Sequence, residues 1–310
     1  MKERFVTALY LTAWFAVPRL PERWAASLFR LFADIAWRRQ GTGVQRLEAN
    51  LLRVEPAASG KRLRALSRAG MRSYMRYWME TFRLPTYDRD RVVGSMTVEN
   101  WAAVEKCLES GRGALLALPH MGNWDHAGAW VAMTGTPFTT VVERLHPDSL
   151  FERFLAHRRG LGMEVLPHTG SGLVAGTLAR RLRDGGLVCL PADRDLNGSG
   201  VEITLFGEPA LLAGGPAVLA MRTGAALFPV TLWFTDEGPD GEPAGWVARV
   251  HDEVPVPSGG DRTAKAAAMT QALADVFTAG IAAHPQDWHM LQPIFLADLA
   301  AAGPGEGVPA

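Results

Sequence analysis

The sequence places a histidine and a carboxylate where they could act on a hydroxyl group. His120 follows the apolar run ALLALP, and Asp125 lies five positions on, where a helical pattern begins. A carboxylate is favoured in the first turn of a helix, and an imidazole held by an acid is a general base for deprotonating a hydroxyl. The spacing alone is weak support, because eight histidines among 32 acidic residues make one such match expected by chance. A structural histidine in a turn is the alternative.

A glycine-rich stretch suggests a different chemistry. Gly170 and Gly172 lie at the start of a predicted helix, and Asp193 ends the next predicted strand, close to where the ribose-binding acid of a dinucleotide site belongs. The competing hypothesis is therefore an NAD(P)-dependent oxidoreductase. It is weakened because two residues separate the strand from the glycines, and because a pattern with two glycines is common in a chain that contains 32.

Other catalytic patterns are weak in this sequence. The Gly-x-Ser-x-Gly elbow of hydrolases does not occur, and the six-residue spacing of His120 and His126 fits no common zinc motif. Cys107 and Cys189 are the two cysteines, so neither a disulfide framework nor a cysteine-based zinc site is expected, and a reducing compartment is. We expect no metal or redox cofactor. Four further histidines have no convincing partner and are interpreted as surface or packing residues: His146, His157, His251 and His289.

The elements that must position these residues are those of an α/β fold. From residue 114 onward, short apolar runs alternate with longer helical stretches. Strands are predicted near 114–118, 138–143, 164–167, 187–192, 201–206, 226–234 and 246–251, and helices near 123–133, 148–160, 171–184, 214–223 and 262–283. The pattern predicts a mixed, mainly parallel sheet flanked by helices. In such folds ligands bind outside the carboxyl ends of the strands, which is where His120 lies.

The N-terminal residues form apolar and amphipathic segments. Residues 5–17 are an unbroken apolar run behind Lys2 and Arg4, shorter than the roughly 20 residues that span a bilayer. No small-x-small cleavage site follows, so a cleaved signal peptide is the less favoured interpretation. Residues 24–37 have the pattern of a helix with a wide apolar, aromatic face, which either packs into a core or lies in a membrane interface.

Charge is distributed unevenly along the chain. The formal net charge is zero, but residues 1–82 contain 15 Lys/Arg and 6 Asp/Glu, whereas residues 83–310 contain 17 and 26. In a helix predicted at 61–83, arginines recur every four positions and form a basic ridge: Arg64, Arg68, Arg72 and Arg76. The ridge predicts contact with an anionic membrane surface, with a solvated helix face as the alternative. The balanced total charge does not favour nucleic acid as a partner.

The composition predicts one globular domain. Hydrophobic residues make up 48% of the chain and charged residues 21%, which excludes a disordered or multi-span membrane protein. We expect a single domain over residues 1–298, with a membrane-associating helical region at 1–83 and an α/β catalytic core at 84–298. The Gly/Pro-rich residues 299–310 are expected to form a disordered tail.

Four sequence blocks carry a resemblance to a known family. LPHMGNWD resembles the His-x4-Asp signature of the glycerolipid acyltransferases, specifically the bacterial branch that contains the lauroyl/myristoyl lipid A acyltransferases. Three stretches match in order after it: VVERLHPDSLFERFLAHRRGLG, LVCLPADRDLNGSGVEITLFGEPALLAGGPAVLAMRTGAALFPV and HPQDWHMLQPIF. Within that branch the sequence is most similar to the actinobacterial phosphatidylinositol mannoside acyltransferases. The resemblance covers most of residues 1–295.

The resemblance implies an activity and a location. A fatty acyl group, expected to be palmitoyl, is transferred from acyl-CoA to a mannose hydroxyl of a phosphatidylinositol mannoside by a peripheral enzyme on the cytoplasmic face of the plasma membrane. His120 is implied as the base and Asp125 as its partner. The oxyanion of the attacked thioester needs donors, for which backbone N–H groups at the following helix start and Arg194 are both candidates. Alternatives are a lipid A or other glycolipid acceptor, and a lipid-binding module without enzymatic activity.

The resemblance also implies residues that contact the substrates. Glu143 and Arg158 resemble positions that shape the acceptor site, with surface ion pairing as the alternative. Asp193, Arg194 and Glu202 are expected to face the same cleft. Asp193 is the first choice among these, since an acid at the carboxyl end of a strand can bind sugar hydroxyls or assist His120. Glu202 stands where lipid A acyltransferases usually carry an apolar residue, which favours the mannoside branch.

Overall fold

The N-terminal part of the chain is a bundle of helices. The computed structural model describes residues 10–143, 147–168, 172–195, 200–235 and 245–302. Residues 10–16 are helical and run into a 3-10 turn at Val17–Arg19. The next helices are α1 (Glu22–Arg39), α2 (Thr42–Val54) and α3 (Gly60–Arg83), followed by a second 3-10 turn at Leu84–Thr86 and the short α4 (Arg89–Gly94).

The rest of the chain forms a sheet covered by helices. The strands are β1 (Met96–Glu99), β2 (Ala114–Leu118), β3 (Phe138–Glu143), β4 (Glu164–His168), β5 (Leu187–Pro191), β6 (Val201–Leu205), β7 (Glu208–Leu212), β8 (Ala226–Phe234) and β9 (Trp246–Val250). The helices are α5 (Trp101–Glu109), α6 (Trp124–Met133), α7 (Asp148–Gly160), α8 (Gly172–Arg183), α9 (Gly215–Thr223), α10 (Arg262–Ala283) and α11 (Leu296–Ala302), with a 3-10 turn at Pro285–Asp287.

The sheet topology confirms the predicted fold class. Seven strands are ordered β1-β9-β8-β2-β5-β3-β4, with β8 and β9 antiparallel and every other neighbouring pair parallel. The stretch predicted as one strand at 201–206 is the first half of a separate antiparallel hairpin, β6-β7. The edge strand β1 was not predicted, because its four residues are too short to give a periodic pattern. Helix α11 extends past residue 298 into the segment predicted to be a disordered tail.

The central strand β2 shows why the sheet forms. All five of its residues are buried, as expected of a parallel strand covered on both faces. Leu115 and Ala117 pack into the core beneath α8, α9 and α10, whereas Leu116 and Leu118 pack into the core beneath α5, α6 and α7. In the described part of the chain, α10 alone is long and apolar enough to cross a membrane, but its Phe277 is fully buried in the first of these cores, as in a packing helix.

The basic ridge of α3 is ion-paired within the molecule. Asp34 of α1 is buried and accepts hydrogen bonds from both Arg68 and Arg72. Arg64 pairs with Glu48 of α2 at 2.8 Å. The sequence predicted that these side chains point toward lipid headgroups. Instead they bind α3 to α1 and α2, because each lies opposite an acid of a neighbouring helix.

Candidate active site

A cavity opens where the central strands end. Its volume is about 820 Å³, within the range of small-molecule sites. Five of the predicted site residues line it: His120, Asp125, Glu143, Arg158 and Arg194. The carboxyl ends of β2, β3 and β5 therefore bring together side chains from four separate parts of the sequence.

His120 is held by Asp193. The Nδ1 atom of His120 lies 2.6 Å from Oδ1 of Asp193, and the backbone N–H of His120 donates to Oδ2 at 2.9 Å. Trp288 donates its indole N–H to the same oxygen at 3.1 Å. The contact follows from the register of β2 against β5. Leu118 pairs with Pro191, so the residues two positions beyond each strand meet at the sheet edge.

The electrostatics of this pair fix the state of the imidazole. Burial would raise the pKa of Asp193, but the charge and hydrogen bonds of His120 hold that pKa below its usual value. Asp193 is thus a carboxylate, so Nδ1 of His120 carries a proton and donates it. The Nε2 lone pair is left as the basic site, on a side chain that lines the cavity. This is the arrangement of a general base with an orienting acid.

Asp125 has a different set of partners from the one predicted. Its carboxylate accepts a hydrogen bond from Nε of Arg158 at 2.6 Å and another from the hydroxyl of Tyr77 at 2.8 Å. Burial would raise the pKa of Asp125, yet the Arg158 guanidinium holds it below the usual value. The sequence assigned Asp125 to His120 because the two are close along the chain. Asp125 instead lies on the first turn of α6, which it binds to α7 and α3, and Asp193 occupies the position beside His120.

The turn that carries His120 is fixed at both ends. Asn123 caps α6 by accepting the backbone N–H of His126 at 2.9 Å. The side-chain amide of Asn123 donates to the buried Glu80 at 2.7 Å, and Trp246 donates to the same carboxylate oxygen at 2.8 Å. Gly122 has φ of +60°, and a Cβ there would lie 3.0 Å from the backbone of the neighbouring strand β8. The turn therefore requires glycine at this position.

A C-terminal segment closes the other side of the turn. The backbone N–H of His289 donates to the carbonyl of His120 at 2.8 Å, and the N–H of Gly122 donates to the carbonyl of Asp287 at 2.9 Å. The Nε2 atom of His289 is 2.8 Å from the hydroxyl of Ser73, which donates to Asp287 at 2.7 Å. Burial, with the nearby charge of His120, lowers the pKa of His289 to about 3, so this imidazole is neutral.

Arg194 lies over the mouth of the cavity. Its Nη2 atom donates to Glu143 at 2.6 Å, and Nη1 donates to Gln292. Its Nε atom is buried and has no hydrogen-bond partner among the described residues. Glu202 is not brought to this place. It is exposed on β6, with its neighbour Val201 on the cavity side, because successive residues of a strand point in opposite directions.

Several cavity residues were missed from the sequence. Tyr77 stacks on Trp124 with ring centroids 4.0 Å apart, and Trp124 meets His120 edge-on at 5.3 Å. His289, interpreted above as a surface or packing residue, lines the cavity; His146 lies outside the described residues. No spacing rule marks these positions. The one available signal was the resemblance of the block HPQDWHMLQPIF, which contains His289.

The remaining predicted chemistries are also clarified. Gly170 lies outside the described residues, and Asp193, the acid required by the dinucleotide-binding hypothesis, is engaged by His120 and Trp288. Within the described ranges, no group of three or more His, Cys, Asp or Glu side chains could hold a metal ion.

A mainly parallel α/β sheet with a histidine–carboxylate pair at its carboxyl edge defines a base-catalysed transferase or hydrolase site. Comparison with known proteins gives the class. The chain belongs to the bacterial lipid A biosynthesis acyltransferase family, whose model matches residues 1–297. It is an acyltransferase, and the family excludes the oxidoreductase hypothesis.

Similar proteins have a more specific name. The chain is 46% identical to the phosphatidylinositol mannoside acyltransferase of Mycolicibacterium smegmatis, over 94% of this chain and 91% of that protein. It is 45% identical to the phosphatidylinositol mannoside acyltransferase of Mycobacterium tuberculosis, over 94% of this chain and 89% of that protein. The resemblance carried by LPHMGNWD and the three later blocks is confirmed.

Proposed function

We propose that this protein transfers a long-chain fatty acyl group, with palmitoyl-CoA as the donor, to a mannose hydroxyl of a phosphatidylinositol mannoside. The observation that carries the proposal is the His120–Asp193 pair at the wall of a cavity large enough for an acyl chain and a sugar. The names of the relatives support the choice of acceptor. Lipid A precursors and other glycolipids are the second candidate acceptors, since the family description refers to lipid A.

The chemical step needs a base and a stabilised oxyanion. Nε2 of His120 takes the proton of the acceptor hydroxyl as its oxygen attacks the thioester carbonyl carbon. The tetrahedral intermediate then expels the CoA thiolate, which recovers the proton from His120, leaving an ester and free CoA. Asp193 holds Nδ1–H throughout and stabilises the imidazolium.

We assign oxyanion stabilisation to Arg194. Its Nε–H is a buried donor in the cavity wall without a partner among the described residues, whereas its two Nη atoms are held by Glu143 and Gln292. A donor fixed in advance is worth about 10²–10³ in kcat in other enzymes. Replacing Arg194 by Lys keeps the charge but removes this donor, so kcat should fall by about that factor with little change in KM. An unchanged kcat would return the assignment to the backbone amides of α6.

The acyl chain is placed in the apolar arm of the cavity beneath α6. This arm is lined by side chains of β2, α6 and β3 and by Met163: Leu116, Val131, Phe138 and Met163. Gly128 keeps it open, since a Cβ there would lie 2.7 Å from the terminal methyl of Met163. Each methylene buried contributes about 0.8 kcal/mol. Val131→Phe should therefore shift the preferred donor toward shorter acyl chains in a series of acyl-CoAs.

We also propose peripheral association with the cytoplasmic face of the plasma membrane. Six of the exposed large apolar side chains in the described part of the chain lie on its first helical segments: Leu11, Phe15, Trp24, Leu28, Leu31 and Phe32. We call these six residues the apolar patch. Arg23, Arg38 and Arg39 are exposed beside it, whereas Glu22 and Asp34, the acids of α1, are ion-paired. An apolar surface with basic neighbours is typical of helices that lie in a membrane interface.

The acceptor assignment is tested by direct assay. Purified protein is incubated with palmitoyl-CoA and, separately, with phosphatidylinositol mannosides and with lipid A precursors, and the acylated lipid is measured by mass spectrometry. We expect acyl mannoside product and stoichiometric thiol release. Acylation of the lipid A precursors alone would replace the proposed acceptor, and thiol release without acylated lipid would overturn acyl transfer to a glycolipid.

A further inference from the structure

The cavity continues away from His120 on the opposite face of the sheet from α6. There it is a groove between α8 and α9, which we call the α8–α9 groove. Apolar side chains of the two helices line it: Val174, Leu178, Val218 and Leu219. Arg222, exposed on the last turn of α9, stands at its far end. The mechanism above uses none of these residues.

The groove runs from one edge of the sheet to the other. His120 lies just beyond the carboxyl end of β2. Arg222 lies just before β8, whose first residue, Ala226, pairs with the first residue of β2, Ala114. Since β2 has five residues at about 3.3 Å each, the two ends of the groove are separated by roughly 16 Å or more. A ligand in it must therefore be long and narrow.

The far end of the groove is positively charged. Arg222 also lines an adjacent surface depression together with Arg262 and Lys265, and no acid lines that depression in the described part of the chain. The side chains of Arg222 and Arg262 form no ion pair among the described residues. Asp261 is nearby, but its carboxylate caps α10 by accepting the N–H of Ala264 at 2.8 Å. The depression is therefore a place for an anion with more than one charge.

We propose that the α8–α9 groove binds the CoA portion of the donor. The pantetheine arm lies along the groove and the CoA phosphates lie against Arg222, Arg262 and Lys265. This inference rests on the proposed function, because it places the thioester at His120 with the acyl chain in the arm beneath α6. A single donor molecule then occupies both arms of the cavity and brings its reactive bond to the place where they meet.

The chemistry of the groove favours this occupant over a second acyl chain. An acyl chain would use the apolar walls and leave three cations at the far end unused. A thioester of CoA has an uncharged arm of comparable length between its reactive sulfur and its phosphates. Phosphates form strong charge-assisted hydrogen bonds with arginine in particular.

The test compares donors with and without phosphates. The double variant Arg222→Glu/Lys265→Glu is assayed with palmitoyl-CoA and with the palmitoyl thioester of N-acetylcysteamine, which has no nucleotide. The control is Lys106→Glu, on an exposed position of α5 outside both arms. We expect the KM for palmitoyl-CoA to rise about tenfold or more in the double variant, corresponding to about 1.4 kcal/mol or more. The KM for the N-acetylcysteamine thioester and both constants of the control should stay unchanged.

Binding of free CoA gives an independent readout. Calorimetric titration should show weaker binding of CoA to the double variant than to wild type and to the control. Equal CoA affinity, or an equal rise in KM for both donors, would overturn the assignment of the groove and leave the acyltransferase mechanism standing. Absence of transfer from either donor in wild type, with CoA binding intact, would overturn the proposed function instead.

Discussion

Residue chemistry at this site depends on which acid touches which base. His120 has two carboxylates nearby, but the geometry gives them separate tasks. Asp193 meets Nδ1 of His120 at 2.6 Å, whereas Asp125 is occupied by Arg158 and Tyr77. One acid therefore orients the base, and the other holds the helix that follows it.

The role of Asp125 predicts a loss of stability. Asp125→Asn leaves the buried Arg158 guanidinium without a counter-charge, which costs about 3–5 kcal/mol when a buried ion pair is broken. Urea unfolding of the variant should show a loss of this size. The matched control is Glu253→Gln, whose pair with Arg112 is partly exposed and should be worth about 1 kcal/mol or less. Equal small losses in both variants would contradict a structural role for the Asp125–Arg158 pair.

The sequence predicted the residue types of the site better than their contacts. His120, Asp193, Arg194 and Glu143 do meet at one sheet edge, as expected for residues at the ends of parallel strands. The partner of His120 was assigned to Asp125 because sequence spacing is visible, whereas strand order is not. Once β2 and β5 are neighbours in register, residues 120 and 193 must meet. His289 gave no such signal, since its contact with the turn of His120 comes from the distant C-terminal segment.

At the scale of elements, one buried carboxylate joins three parts of the fold. Glu80 of α3 accepts hydrogen bonds from Asn123 at the start of α6, from Trp246 of β9 and from Arg76 within α3. Since Asn123 also caps α6, Glu80 acts on the turn of His120 through it. Glu80 is a positioning residue and touches no reacting atom.

Replacing this carboxylate should loosen α6. Glu80→Gln keeps the shape but removes the charge that three donors share, so we expect a loss of about 1.5–3 kcal/mol in unfolding free energy. We also expect kcat to fall more than KM changes, because the turn of His120 loses its anchor while the cavity walls remain. Glu99→Gln, in an exposed pair with Arg249, is the control and should change neither quantity appreciably. Wild-type kcat in Glu80→Gln would remove Glu80 from the positioning of His120.

The long, strongly patterned elements were predictable and the short ones were not. β2, β3 and β8 have the predicted bounds, and α7 and α10 also agree residue by residue. β1 has four residues, and its place in the sheet comes from pairing with β9, which no local pattern encodes. The hairpin partner β7 was missed because its strand contains Pro209 and lies beside a tight turn at Phe206 and Gly207, both with positive φ.

At the scale of the whole molecule, the basic N-terminal region divides its charges between two uses. Four arginines of α3 are paired with acids inside the helical bundle and so stabilise it. Exposed arginines of α1 remain beside the apolar patch. The inner face of α1 packs on α3, whose Tyr74 and Trp78 line the cavity. The patch and the cavity are therefore joined by a single pair of helices.

Membrane binding should depend on the apolar patch. Replacing Phe15, Trp24 and Leu31 by Ser removes exposed apolar area, so binding to vesicles of phosphatidylglycerol and phosphatidylcholine should weaken by about tenfold or more. Sedimentation with vesicles measures this. Leu52→Ser, an exposed apolar position on α2, is the control and should bind like wild type. Equal binding of the triple variant and wild type would locate the membrane contact elsewhere.

The most direct measurement of the central claim is kcat for acyl transfer in His120→Ala, Asp193→Asn and Asp125→Asn, each assayed at a temperature where circular dichroism shows the variant folded. A base oriented by Asp193 predicts a loss of about 10²–10⁴ in kcat for the first two variants and a distinctly smaller loss for Asp125→Asn. Wild-type kcat in Asp193→Asn, together with a large loss in Asp125→Asn, would contradict the account and restore Asp125 as the partner of His120.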